Sequence, residues 1–344
     1  MPTPEVLYPI KGIPILKFSE PSITSMTEAN CLDFFSLSKF LDPLKHFPEG
    51  VENDVSYINF QFRIFKQKNL MLRQPFCELV EQIPKHKLVY VDGLRGIGKS
   101  VALMFAAAAL KSDNAIVLYV PRVHDYIVGK YHYLPADSDY DIPEASVHIL
   151  GYLCTHNQEI LKSIKAQETT LWDVVQKGLE QPEKASEVLK DTIQVLSTQK
   201  EFPVYIFIDQ ANSLFSETRY KKQNGALLKV HRFLPLKILQ NLVSGETMLE
   251  NGSVVCSKSR QYRNTIATPY NDLVKRKTEG KDCMEFVVPA YSIQEMRSII
   301  NYYRRLGHTF QDDIEGDYLE GKYFVTGGIG RKLFEACKYD NIYF

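Results

Sequence analysis

The feature that most constrains this chain is an octapeptide, Gly93-Leu94-Arg95-Gly96-Ile97-Gly98-Lys99-Ser100, which matches the phosphate-binding pattern G-x-x-x-x-G-K-S/T at every fixed position. An apolar run, Leu88-Val89-Tyr90-Val91, precedes it, and a helical run from Val101 to Leu110 follows. Strand, glycine turn and helix in that order aim backbone N–H groups and a helix N-terminus at one anion. Glycine permits the positive φ angles and close backbone approach that such a cradle needs. In this pattern residues Gly93 through Val101 wrap the phosphates and Lys99 reaches the β- and γ-phosphates. The Ser100 hydroxyl ligates Mg²⁺. A glycine-rich turn with no ligand is the competing reading, and the flanking strand and helix weigh against it.

Four further apolar runs follow the pattern of that first strand. They are Ala115–Val120, Pro203–Ile208, Gly252–Cys256 and Met284–Val288. Helical patterns cover Pro75–Gln82, Glu144–Ser163, Leu171–Leu179 and Lys184–Thr198. Short apolar strands separated by helices predict an α/β fold with a five-stranded parallel sheet covered on both faces. Residues 124–140, rich in Tyr, Asp and Pro, read as a surface insertion.

After Pro289 the pattern changes. Ser292-Ile293-Gln294-Glu295 spells a capping box, the helical stripe behind it stops at Gly307, and another helix is expected near Gly330-Arg331. The division expected is an irregular extension over 1–70 with a short helix at Ser36–Leu41, a nucleotide-binding domain over 71–290, and a helical lid over 291–344.

Composition excludes several classes. With 41 basic and 41 acidic residues the chain carries no net charge, so the molecule as a whole is not an electrostatic nucleic-acid binder. Residues 217–282 are locally basic, with thirteen Lys/Arg against six Asp/Glu, which fits a solvated face or an RNA contact. Six cysteines without C-x-x-C spacing argue against zinc and against a disulfide framework. No apolar stretch is long enough to cross a bilayer. Met1 to Glu20 has Lys11 and Lys17 but no Arg, which is neither a signal peptide nor a persuasive transit peptide.

The rest of a nucleotide site is legible in outline. Asp209 closes the Pro203–Ile208 run, where the metal-holding acid of a phosphate-loop protein belongs. Gln210 follows it in place of the Glu that activates water in hydrolytic relatives of this layout. An amide positions water but takes no proton from it, so turnover is expected to be slow or absent. Ser257 and Ser259 stand where a polar group could sense the γ-phosphate, and an ordinary turn after a strand accounts for them equally well. Arg331 opens a helix, either as a surface arginine or over the phosphates, and the opposition of its charge to the helix dipole weighs towards the ligand role. No N-K-x-D guanine motif occurs, so the pattern leaves the base open.

The order of these segments resembles the death-associated protein 3 family over roughly residues 35–340. Phe47-Pro48-Glu49-Gly50 is similar to the family's F-P-x-G entry and Leu72-Arg73-Gln74-Pro75 to its R-x-P segment. Tyr119-Val120-Pro121-Arg122-Val123-His124-Asp125 and Ile206 to Phe215 resemble its next two strand ends. The resemblance implies an AAA+-like P-loop NTPase with a small C-terminal helical lid. It also implies a structural place in the mitochondrial small ribosomal subunit, supporting mitochondrial translation. The ligand implied is GTP or GDP with Mg²⁺, held also by Arg73. Partners implied are small-subunit ribosomal proteins, rRNA and large-subunit contacts, with no membrane and no obligate homo-oligomer. The alternative is a free-standing cytoplasmic ATPase switch, which would use ATP.

Overall fold

The computed structural model describes residues 34–36 and 69–339, apart from 112–113, 137–138, 167, 223, 260–281, 310–313 and 315. Phe47–Gly50, most of the Ser36–Leu41 helix and the leader reading of Met1–Glu20 lie outside the described residues; Ser36 itself ends a short strand, Phe34–Ser36, paired with Asn69–Met71.

The five expected strands are present as β1 (Leu88–Asp92), β2 (Ile116–Val120), β3 (Val204–Ile208), β4 (Gly252–Ser257) and β5 (Cys283–Val287). All are parallel and lie in the order β5-β1-β4-β3-β2. Side chains alternate between the faces, as a two-residue period requires. Val89, Val91, Val117, Tyr119, Tyr205, Phe207 and Val255 enter one core, and Leu88, Ile116, Leu118, Ile206, Ile208 and Val254 enter the other.

Helices α1 (Gln74–Gln82) and α2 (Lys99–Lys111) cover the first face. Ala102 and Ala106 to Ala108 are wholly buried in α2, and such small side chains let the helix axis lie close to the sheet. On the second face pack α3 (Pro143–Ser163), α4 (Leu171–Glu180), α5 (Ala185–Ser197) and α6 (Leu234–Val243).

At the β2 edge of the sheet, Asn157 of α3 stands in for a sixth strand. Its side-chain oxygen accepts from the Val117 N–H at 2.9 Å, and its side-chain nitrogen donates to the Val117 carbonyl at 2.8 Å. An edge strand's outward backbone groups need such partners when buried.

The segment expected as a surface insertion is partly core. Val123, Tyr126 and Ile127 are buried against α3, and Tyr126 and Tyr131 pack their rings on His148. Leu134 and Pro135 are exposed in a hairpin that pairs Leu134–Ala136 with Asp139–Asp141. Tyrosines with apolar rings pack as readily as they dissolve, so composition alone overstates exposure here.

The C-terminal helices α7 (Ile293–Arg305), α8 (Asp317–Thr326) and α9 (Gly330–Tyr339) form a third core around Met296, Ile300, Leu333 and Phe334. Met71 belongs to it, so the lid is not closed by residues 291–344 alone. The capping box forms in full at the start of α7, with Ser292 accepting from the Glu295 N–H and Glu295 from the Ser292 N–H.

Candidate nucleotide-binding site

The octapeptide is a loop between β1 and α2, with Gly93, Gly96 and Gly98 all at positive φ. Each glycine faces something different. A Cβ on Gly96 would lie 2.6 Å from Cβ of Arg331, whereas one on Gly98 would meet nothing within 4 Å. The loop is thus pressed against the lid at Gly96 and open at Gly98. Lys99 is buried, and its ammonium donates to the Gly93 and Leu94 carbonyls at 2.8 and 3.0 Å. Ser100 and Val101 form the first turn of α2, half-buried, while Leu94 and Arg95 are exposed and Ile97 is buried in the core below.

Asp209 follows β3 and is buried. Because β4 lies between β1 and β3, the end of β4 joins the two halves of the site. Ser257 donates its hydroxyl to Oδ1 of Asp209, and the next residue, Lys258, reaches Asp92 Oδ2 on the other side at 2.9 Å. One strand end serves both neighbours because β4 pairs with β1 on one side and β3 on the other. Asp92 in turn accepts from the Gly93 N–H at 2.7 Å, anchoring the first residue of the loop. Asn212 clasps Ser259 by two bonds, to its carbonyl at 3.0 Å and from its N–H at 2.8 Å. Burial first, and then the Asp209 carboxylate, push the Tyr119 phenol well above its ordinary range.

Gln210 has φ 63° and ψ 34°, a left-handed conformation uncommon outside glycine. Its N–H donates to Asp209 Oδ1 at 3.0 Å, and its side-chain oxygen is buried without a hydrogen-bond partner among the described residues. Arg331 opens α9 beside the loop, its backbone N–H donating to the Gly96 carbonyl at 3.1 Å and its Nε to Glu335 at 3.2 Å. The structure therefore brings Lys99, Ser100, Asp209, Gln210, Ser257 and Arg331 to one edge of the sheet.

Arg73, the other residue expected at the ligand, is spent on the segment that follows β5 and on the lid. Its side chain is 1% exposed, and Nε donates to Glu295 at 2.7 Å while Nη2 donates to the Pro289 and Ala290 carbonyls at 3.1 Å each. The guanidinium also lies 4.4 Å over the Tyr291 ring. It ties the segment before α1 to the lid. Asp92 and Lys258 are the residues that sequence reasoning passed over. The available signal was an acid directly before the first loop glycine, matched by a lysine directly after a strand-ending serine.

Of the locally basic stretch, 260–281 lies outside the described residues, and several of its described cations are paired. Arg232 and Lys237 pair with Asp139 at 2.9 and 3.9 Å, and Lys258 is spent on Asp92. Among the described residues no group of three or more His, Cys, Asp or Glu gathers as a metal site. No described helix is long and apolar enough to cross a membrane.

A family model described as mitochondrial ribosomal death-associated protein 3 matches residues 66–336. The chain belongs to this family. The match takes in the phosphate loop, the sheet and most of the lid of this death-associated protein 3 member. A curated relative, small ribosomal subunit protein mS29 of Schizosaccharomyces pombe, is 23% identical over 316 residues, which is 80% of this chain and 65% of that protein. The chain thus spans about two-thirds of the relative's length. Among solved structures, the ORC2 protein of Aeropyrum pernix in its ADP form aligns with 80% of this chain and 66% of its own, at 12% identity and TM-score 0.37. A DNA replication initiation factor aligns with 88% and 66%, at 12% identity and TM-score 0.30.

Proposed function

We propose that this family member is a GTP- or GDP-binding structural component of the mitochondrial small ribosomal subunit, with slow or no hydrolysis. The observation that carries the reading is a complete phosphate loop, open above Gly98 with its lysine turned inward, in a chain of a mitochondrial ribosomal family. Phosphates would lie over Gly96 to Ser100 and compete with the Gly93 and Leu94 carbonyls for the Lys99 ammonium. Mg²⁺, when bound, neutralises phosphate charge. Ser100 and Asp209 are the side chains placed to hold it, and the Asp209 bonds from Ser257 and Gln210 both fall on Oδ1, leaving Oδ2 for the cation. Phosphate oxygens would complete its shell, which suits a site with so few protein ligands.

Gln210 supports the slow or absent turnover. Its orphan oxygen can accept a hydrogen bond from a water, but an amide takes no proton from it. Arg331 would exchange Glu335 for a phosphate and so couple ligand to lid. Ribosomal proteins and rRNA are the partners of this reading, in the mitochondrial matrix.

Mass identification of the nucleotide released by freshly purified protein, with sedimentation of the protein alongside mitochondrial small subunits, tests it. GDP or GTP together with co-sedimentation is the expected outcome. Release of ATP or ADP from protein that sediments alone would replace the reading with an ATPase switch, and a protein that binds no nucleotide would end it.

A further inference from the structure

The lid carries an apolar surface that its own core does not use. In α8, Leu319 and Thr326 point inward and are 2% and 1% exposed. Phe324 and Val325 lie about 140° and 240° around the helix from Leu319, off the buried stripe. They are 89% and 71% exposed. Ile293, at the start of α7, is exposed beside them. Between the two helices runs a groove of about 640 Å³ lined by Ile293, Asp317, Glu320, Gly321, Tyr323 and Phe324. Ile293, Tyr323 and Phe324 gather exposed apolar surface at one groove, the arrangement by which contiguous apolar patches mark interaction sites.

The charge at the groove selects among partners. Asp317 and Glu320 line it, and the lysine of α8 is turned the other way, with Lys322 donating to the Ala336 carbonyl at 3.0 Å and lying over the Tyr318 ring. The groove therefore sets the apolar side chains of Ile293, Tyr323 and Phe324 beside the carboxylates of Asp317 and Glu320. Nucleic-acid phosphates and anionic lipid are repelled by these carboxylates, whereas lysine and arginine are attracted to them.

We propose that this groove docks a cationic protein segment of the ribosome. A bulky apolar side chain of that segment seats against Ile293 and Phe324, and its basic residues meet Asp317 and Glu320. The inference rests on the ribosomal reading above and adds to it the face and the chemistry of one contact.

The test places a photo-crosslinking phenylalanine analogue at Tyr323, which lines the groove, in protein assembled into mitochondrial small subunits, and identifies adducts by mass spectrometry. The adduct expected is a peptide of another ribosomal protein with Lys or Arg beside the linked residue. Separately, Glu320→Lys and Phe324→Asp should each reduce retention on salt-washed subunits at least tenfold, with melting temperature and nucleotide affinity unchanged. An adduct to rRNA, an adduct to residues 1–33 of the same chain, no adduct, or unchanged retention would each overturn the proposal. Wild-type protein on the subunits without an adduct sinks this inference alone. Wild-type protein absent from them sinks the ribosomal reading and this inference with it.

Discussion

Lys99 is the side chain on which the candidate site depends most. Lys99→Ala removes a buried ammonium and keeps the loop glycines, so nucleotide affinity should fall roughly ten- to a hundredfold, the loss of a charge-assisted contact worth about 1.5–3 kcal/mol. Titration with a fluorescent guanine nucleotide measures it, and unaltered affinity would show that the loop holds no phosphate. Asp209→Asn should weaken binding in the presence of Mg²⁺ and leave metal-free binding nearly unchanged. Gln210→Ala should leave affinity unchanged, because its orphan oxygen serves a water in this account. Lys99, Ser100, Asp209 and Gln210 were all legible in the sequence, since each occupies a fixed offset from a strand or a glycine. The Asp92–Lys258 pair was not. Its partners are 166 positions apart, and only the insertion of β4 beside β1 brings them to 2.9 Å.

In two helices a single polar side chain adds to the apolar packing. Glu295 closes the capping box of α7 and at the same time holds Arg73. Ser292→Ala should cost about 1 kcal/mol, the usual worth of a cap. Glu295→Ala should cost about 3–5 kcal/mol, because it also leaves a buried guanidinium without its counter-charge. Chemical denaturation separates the two, and equal losses would mean that the Arg73 contact contributes nothing. Asn157→Leu would strand the outward N–H and C=O of Val117 in the β2 edge, at about 1–3 kcal/mol for each group. Hydrogen exchange at Val117 should rise in that variant.

The sequence revealed α7 by its cap and α3 by its helical pattern. It concealed α8, where apolar residues are spread around the helix and no stripe forms. It also concealed α6, whose Leu234–Val243 run lies inside a stretch that its charge count made conspicuous.

The phosphate loop, the end of β4 and the start of α9 meet at one place, so a ligand there should stabilise sheet and lid together. A nucleotide that binds only the folded state adds about 2.7 kcal/mol at a hundredfold excess over its dissociation constant. Melting temperature should therefore rise with GDP or GTP and Mg²⁺ in wild-type protein and much less in Lys99→Ala. Gly96→Val should lower it even without ligand, since the new side chain would meet Arg331 and the backbone there has φ 80°. A lid that melts at the same temperature as wild type in that variant would show that it does not rest on the loop.

By itself the sequence determined the parallel α/β class, the five strands, the glycine loop between β1 and α2, and the helix that opens with Ser292. These follow from local periodicity, glycine placement and capping chemistry, each read within a window of a few residues. Only the tertiary structure decided that Arg73 braces the lid, that Met71 completes the lid's core, and that Arg331 touches Gly96. It also decided that the tyrosines after β2 are packed inside. These are contacts between residues far apart in the chain, and their energies depend on which surfaces the strand order β5-β1-β4-β3-β2 brings together. No local pattern encodes that order, because every strand of a covered parallel sheet reads as the same short apolar run.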